Sequence, residues 1–226
     1  MTLQARTDYD GAGLMESQLV SPPLEQIRLW VEQASDRQRD YADVPEPMAL
    51  YVATVDADGQ PDVRTVLMRM LESRGPGFLT NLDSAKGEQI RANDRVAAAL
   101  VWPSMFRAVR FRGVAAPIER EQVHGYFRSR PWASRISAWA SDQSRPAQSR
   151  AELEQRHTEL AERFPDHGSP DDVPVPERWG GYWVLPHRVE FWAGRPDRLH
   201  DRLVLDRTGD GDLAVADAWT VTRLQP

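Results

Sequence analysis

Apolar residues return along this chain in two rhythms, and each rhythm marks a different kind of segment. After a Pro-Pro pair, Leu24, Ile27, Trp30, Val31 and Ala34 recur every three or four positions, which lays them along one stripe of a short amphipathic helix. The polar run from Ser35, SDRQRDYADVPEP, is expected to end it. The pattern then changes to short apolar runs. ALYVATVD (49–56) and DVRTVLMRM (62–70) flank Asp58-Gly59, which has the form of a hairpin, and GFLTN (77–81) supplies a third strand. A short helix over 84–93, with Ser84 as its N-cap, precedes strands at VAAALVW (96–102) and FRAVRFRGVAAPI (106–118). The second of these sets Val109, Phe111 and Val114 against arginines, giving one buried and one polar face.

The middle third is helical in pattern: residues 119–127, a segment after Pro131, and residues 149–164, the last opening on a Ser149-x-x-Glu152 capping box. A Pro- and Asp-rich loop leads to a final β region made of GYWVLP, RVEFWAG, RLVLDR and LAVADAWTVTRL. Residues 1–20 lack periodicity and form a flexible arm, ordered only where it packs on something. Without internal repeat or dividing linker, residues 21–226 are expected to form a single α+β domain on a small β-barrel with peripheral helices.

Composition narrows the function classes. With 34 acidic and 28 basic residues, a net charge of −6 gives no general attraction to nucleic acid. Cysteine is absent, which removes disulfides, thiolate nucleophiles and Cys-held metals. No stretch approaches the roughly 20 apolar residues of a membrane span, and the start does not resemble a signal peptide, so a soluble cytoplasmic protein is expected. No metal-ligand spacing, G-x-S-x-G elbow or phosphate-cradling glycine loop is present. Of the 28 basic side chains one is a lysine, Lys86.

The candidate chemistry lies in arginines set within apolar segments: Arg64, Arg69, Arg130, Arg198 and Arg202. Guanidinium is a planar fork matched to phosphate, and a gathering of arginines on an acidic protein points to a phosphorylated small molecule. Arg64 and Arg69 are five apart, so a regular strand places them on opposite faces. They serve one pocket only through a bulge, or two pockets at a subunit interface. Tyr126, Arg130 and Ser134 stand at i, i+4 and i+8, with Pro131 breaking any continuous helix between them. They form either a phosphate-holding set or a core edge, a solvated arginine and an N-cap, and spacing alone does not choose. Residues 188–202 crowd an aromatic pair, arginines and His200 into fifteen positions.

Taken together, RTVLMR (64–69), FLTNLDSAKG (78–87), YFRSRPWAS (126–134), SAWASDQS (137–144), WGGYWVLPHRVEFWAGRPDRLHDR (179–202) and the terminal RLQP resemble the pyridoxamine 5′-phosphate oxidase family of flavin enzymes. The resemblance runs from Arg6 almost to the last residue. It implies an FMN-binding split β-barrel that forms a homodimer through its C-terminal region, with FMN between subunits. It further implies oxidation of pyridoxine or pyridoxamine 5′-phosphate by hydride transfer from C4′ to flavin N5, with dioxygen reoxidising the flavin to give hydrogen peroxide. By position, the cofactor set comprises Arg64, Thr65, Val66, Leu67, Arg69, Leu79, Thr80, Ala85, Lys86, Gln143, Ser144, Trp192 and Arg202, with Arg64 and Lys86 on the FMN phosphate. Arg69, Tyr126, Arg130 and Ser134 would hold the substrate phosphate. Arg198 and His200, the implied catalytic pair, would enclose the pyridine ring with Arg6 and Tyr9. Three positions depart from the family pattern: Arg69 stands for a lysine, Ala85 for a frequent arginine, and Ala108 for a glutamine that bonds the flavin ring. A related oxidase acting on a phenazine-type ring and a non-catalytic flavin- or pyridoxal-phosphate-binding module are the alternative readings.

Overall fold

A computed structural model describes residues 8–226; Arg6 lies outside them. Strand β1 (Ala49–Val55) is flanked by β2 (Pro61–Glu72) and β4 (Arg95–Trp102), and the sheet continues from β4 to β5 (Arg107–Pro117) and β6 (Trp179–Ala193). Strand β3 (Gly75–Asn81) pairs with both β2 and β6, which closes six antiparallel strands into a barrel. Beyond the closure, β7 (Asp201–Arg207) and β8 (Trp219–Leu224) extend the sheet from the far half of β6. This is the split barrel that the sequence resemblance implies.

Strand alternation fills the interior. Leu50, Val52, Phe78, Leu100, Val109, Phe111, Val189 and Phe191 are fully buried in one cluster. Helix α1 (Pro23–Tyr41) lays Ile27, Trp30 and Ala34 against it, with Trp30 meeting Phe191 edge-on at 5.4 Å. The helix does not stop at Ser35 as the sequence pattern suggests. Its last two turns lie at the surface, where ion pairs such as Arg39–Asp36 replace apolar contacts, and it ends only at Ala42 in a left-handed conformation.

Two further differences concern the β region at the end of the chain. GYWVLP and RVEFWAG are one strand: the register with β5 shifts between Arg112 and Gly113, so that His187 is the extra residue of a bulge and Pro186 beside it pairs with Gly113. There the strands approach so closely that a Cβ on Gly113 would overlap the Leu185 carbonyl. LAVADAW is a loop that feeds Trp219 Nε1 into the Asp212 carbonyl, and β8 begins only at Trp219.

Three helices form a group beside the barrel: α3 (Arg120–Ser129), α4 (Trp132–Ala140) and α5 (Arg150–Arg163), after α2 (Ala85–Ala92) between β3 and β4. The break at Pro131 is present, with Arg130 extended between α3 and α4. Ser149 caps α5 by accepting from the Glu152 N–H at 3.1 Å, but Glu152 reaches back to the Gln148 N–H instead of completing the reciprocal box. Ser84 occupies the N-cap position of α2 without capping it; its hydroxyl donates to the Asn81 carbonyl and accepts from Lys86. Residues 8–20 run along the barrel and bury Leu14 in the main core. Among the described residues no helix is long and apolar enough to cross a membrane, and no group of His, Asp and Glu is placed to hold a metal.

Candidate active site

One cavity of about 690 Å³ opens between β2, β3, the start of α2 and the α3–α4 corner. It gathers fourteen of the residues named above: Arg64, Thr65, Val66, Leu67 and Arg69 from β2, Leu79 and Thr80 from β3, Ala85 and Lys86 from α2, and Tyr126, Arg130, Ser134, Gln143 and Ser144 from the helical group. Arg64 and Arg69 reach it from one chain. The register between β2 and β3 shifts between Met68 and Met70, so Arg69 is the extra residue of a bulge, and it is the bulge that lets both arginines line one cavity.

Lys86 is 6% exposed, and its ammonium donates to Thr80 Oγ1 (3.1 Å), Ser84 Oγ (3.1 Å) and Gln143 Oε1 (2.9 Å). All three partners are neutral. Burial, reinforced by the Arg64 cation and only partly opposed by Asp62, pushes its pKa down to about 8. Arg64 is held more firmly: its guanidinium donates to Thr54 Oγ1 (2.6 Å), the Val52 carbonyl (3.1 Å), Gln89 Oε1 (2.9 Å) and Asp62 (2.6 Å).

At the other end, the Arg130 guanidinium lies 4.5 Å from the Trp179 ring centre and 5.8 Å from that of Phe127. Its Nη1 is buried without a hydrogen-bond partner. Burial holds its pKa below the ordinary value, with Tyr126 opposing and Arg69 adding to the shift. Among the described residues, no ion pair joins Arg69, Lys86 or Arg130 to a carboxylate. Three uncompensated cations around one cavity, two of them desolvated, favour an anionic occupant. Ser144, also on the wall, has a left-handed backbone at φ 70°.

The remaining candidates stand elsewhere. Trp192, Arg202, His200 and Tyr9 form a second cluster, with Arg198 in the adjacent turn, and none of them lines the cavity. Trp179, on the cavity wall, and Trp192 lie thirteen residues apart on β6, on the order of 40 Å along an extended strand at about 3.3 Å per residue. Tyr9 packs 4.7 Å from Phe106, 5.4 Å from His200 and 6.1 Å from Trp192 between ring centres. His200 Nδ1 accepts the Arg195 N–H at 3.1 Å, so a neutral ring carries its proton on Nε2 and offers a donor there. Asp197 (φ 57°) and Arg198 (φ 63°) are consecutive left-handed residues, a strained turn of the kind that functional sites hold. Arg202 is clamped bidentately by Glu190 at 2.8 and 3.2 Å, which raises its pKa. Ala108, where the resemblance implies a glutamine, pairs with Trp192 and so lies beside this cluster.

Sequence reasoning missed Thr54, Asp62 and Gln89, which orient Arg64, and Trp179, which supports Arg130. The first three are ordinary polar residues whose convergence depends on strand register. Trp179 was visible only as part of the WGGYW motif.

The two parts share a face of the barrel. Across the strands, Thr65 pairs with Tyr51 and Tyr51 with Ala99, while one row along, Val101 pairs with Ala108 and Ala108 with Trp192. Tyr51, Val63 and Val101 are exposed apolar residues on it, Val63 at 63%, beside the Arg110–Glu190 ion pair that continues the Tyr51–Ala99 row. An apolar face of this kind suits a protein partner.

Known proteins match along nearly the whole chain. The sequence pattern described as pyridoxamine 5′-phosphate oxidase matches residues 38–164, and that of the pyridoxine 5′-phosphate oxidase C-terminal dimerisation region matches residues 179–226. The pyridoxine/pyridoxamine 5′-phosphate oxidase of Ralstonia pickettii is 43% identical over 221 residues, covering 98% of this chain and 97% of the relative. Among solved structures, PhzG from Burkholderia lata, in complex with tetrahydrophenazine-1-carboxylic acid, superposes with a TM-score of 0.81 at 27% identity, covering 96% of this chain and all of that one. A pyridoxamine 5′-phosphate oxidase-related, FMN-binding protein of Nostoc punctiforme shares the fold, with a TM-score of 0.65 at 19% identity over 88% of this chain and 96% of its own.

Proposed function

This chain belongs to the pyridoxamine 5′-phosphate oxidase family, and from that premise we propose that it oxidises pyridoxine or pyridoxamine 5′-phosphate to pyridoxal 5′-phosphate with FMN as cofactor and dioxygen as acceptor. The observation that carries the reading is the set of uncompensated cations Arg69, Lys86 and Arg130 in one cavity with Tyr126 and Ser134. Two phosphates, one at the Lys86 end and one at the Arg130 end, answer that charge.

The residues present fit FMN. Lys86 with Arg64 offers cationic donors to its phosphate, and Gln143, whose oxygen serves Thr80 and Lys86, keeps its amide NH₂ for a ligand. When bound, FMN supplies the ring that accepts a hydride from the substrate and passes electrons to dioxygen. The protein's part is orientation. Arg130, braced on Trp179, with Arg69, Tyr126 and Ser134 would fix the substrate phosphate. His200 would donate from Nε2 to the substrate ring, and Arg198 beside it would carry positive charge to the same place. No nucleophile is required, in keeping with a chain that has no cysteine.

Because Trp192, Arg198, His200 and Arg202 lie outside the cavity of their own chain but inside the region matching a dimerisation domain, the complete site is proposed to form between two subunits. The apolar face described above is the docking surface, with the cavity edge at Thr65 and Leu67 on one side and Trp192 on the other.

The test is an absorption spectrum of the flavin-loaded protein before and after anaerobic pyridoxamine 5′-phosphate. Bleaching of the flavin band, with oxygen uptake over many turnovers on readmitting air, is expected. Bleaching by a reduced tricyclic acid but not by either vitamer would move the assignment to the chemistry suggested by the ligand of PhzG. Flavin retention without turnover would leave a binding module. Replacing the ring under Arg130 gives a finer check: Trp179→Leu should raise the KM for pyridoxamine 5′-phosphate about fivefold, as loss of a partly buried cation–π contact predicts, while Trp179→Phe stays near wild type.

A further inference from the structure

Asp201 follows His200 in the chain and is 6% exposed. Adjacent residues of a strand point to opposite faces, so Asp201 is turned away from Arg202 and Trp192. Its carboxylate collects three donors from three different parts of the fold. The Leu14 N–H donates to Oδ2 at 2.9 Å, Arg195 Nε donates to the same oxygen, and Arg223 Nη1 from β8 donates to Oδ1 at 2.5 Å. Arg223 also grips the N-terminal segment directly, bonding both oxygens of Glu16 at 2.7 Å and the Leu14 carbonyl at 3.1 Å. Burial alone would raise the Asp201 pKa, but the bonds from Arg195, Leu14 and Arg223 outweigh it and hold the carboxyl ionised.

The segment pinned in this way is the one that carries Tyr9. From Leu14 it runs back through Gly13, whose φ is 72° and where a Cβ would overlap both Arg195 Nε and Asp201 Oδ2. It then passes Gly11, where a Cβ would overlap the Gly194 carbonyl. Two glycines thus allow the strap to cross the 194–195 loop at backbone contact and set Tyr9 against Phe106, Trp192 and His200.

We propose that Asp201 is a positioning residue: by docking the strap at Leu14 and Gly13 it holds Tyr9 over His200, and so organises the substrate end of the site without touching substrate or flavin. The inference rests on the functional reading above for the reaction it serves. A surface ion pair would contribute little, but a buried carboxylate shared by a backbone amide and two guanidinium groups is a strong fixed point.

Asp201→Asn keeps the shape and one acceptor but removes the charge. In the flavin-loaded full-length protein it should speed hydrogen exchange at the Leu14 amide and raise the KM for pyridoxamine 5′-phosphate roughly tenfold, with a smaller effect on kcat and FMN affinity unchanged within about twofold. Added to Tyr9→Ala it should cost nothing further, since both changes remove the same positioned ring. Unchanged exchange at Leu14, or losses that simply add in the double variant, would overturn the proposal. Gly13→Ala disrupts the same contact from the strap side and carries the same expectations if Asp201→Asn does not fold. Exchange is measured without substrate, so faster exchange in a protein whose wild type is inert toward pyridoxamine 5′-phosphate would sink the substrate assignment while leaving the docking role of Asp201 standing.

Discussion

Lys86→Ala is expected to weaken FMN binding by about two orders of magnitude while the protein stays folded. The magnitude follows from losing a charge-assisted hydrogen bond, about 1.5–3 kcal/mol, to a phosphate in a partly desolvated cavity. Folding should tolerate the change because the ammonium now rests among neutral oxygens, and removing a buried cation with no counter-charge relieves as much as it costs. Titration of the apo-protein with FMN, followed by flavin fluorescence, measures it. Unchanged affinity would show that the cavity does not hold the phosphate at this end.

The same lysine predicts a pH dependence. In the free protein its pKa is pushed down to about 8, and a bound phosphate dianion raises it again. Protonated Lys86 is the binding form, so FMN affinity is at its full value below about pH 8 and falls as pH rises above it, with proton uptake on binding in that window. The Lys86→Ala variant should lose this slope. A wild-type affinity that stays flat from pH 7 to 9.5 would contradict the assignment of the buried ammonium to the phosphate.

How far the site was legible in the sequence depends on the kind of information each residue carries. Local pattern was enough to place the strands of the barrel, the break at Pro131 and the helix stripe of Ile27, Trp30 and Ala34, because burial of alternating or helically spaced apolar residues decides those elements; Val114, read with Val109 and Phe111 as buried, instead shares the outer face of β5 with Arg110 and Arg112, since strict alternation puts Gly113 and Ala115 inside. It failed where the surface decides: the last turns of α1 have no apolar signature and are held by ion pairs. It failed also at Pro186, a residue that ordinarily ends a strand but here pairs with Gly113 next to the bulge at His187. Arg64 and Arg69 show both sides of the matter. Spacing correctly demanded either a bulge or an interface, and only the register between β2 and β3 shows the bulge. Thr54, Gln89 and Asp62 were invisible, since nothing in a threonine's position announces that a guanidinium ten residues away will fold onto it. Arg6, assigned with Tyr9 to the substrate ring, lies outside the described residues.

The division of the candidate residues between a cavity and a distant cluster leads to the second large effect. Arg130→Ala removes a cavity cation, and Arg198→Ala with His200→Ala removes the two polar groups of the other cluster assigned to the substrate ring; each homodimer should lose about 100-fold or more in kcat/KM, as the loss of charged contacts to a bound phosphate or ring requires. Co-expression of the two variant chains under different tags allows the mixed dimer to be isolated. If each site combines one chain's cavity with its partner's cluster, one site of the mixed dimer carries all the substitutions and the other carries none. Activity should then return to about half that of the wild-type dimer. If cavity and cluster act within one chain, every site of the mixed dimer keeps a defect and no activity returns. Because none of Trp192, Arg198, His200 and Arg202 lines the cavity of its own chain, the first outcome is expected, and mixed dimers as inactive as either parent would refute the shared site.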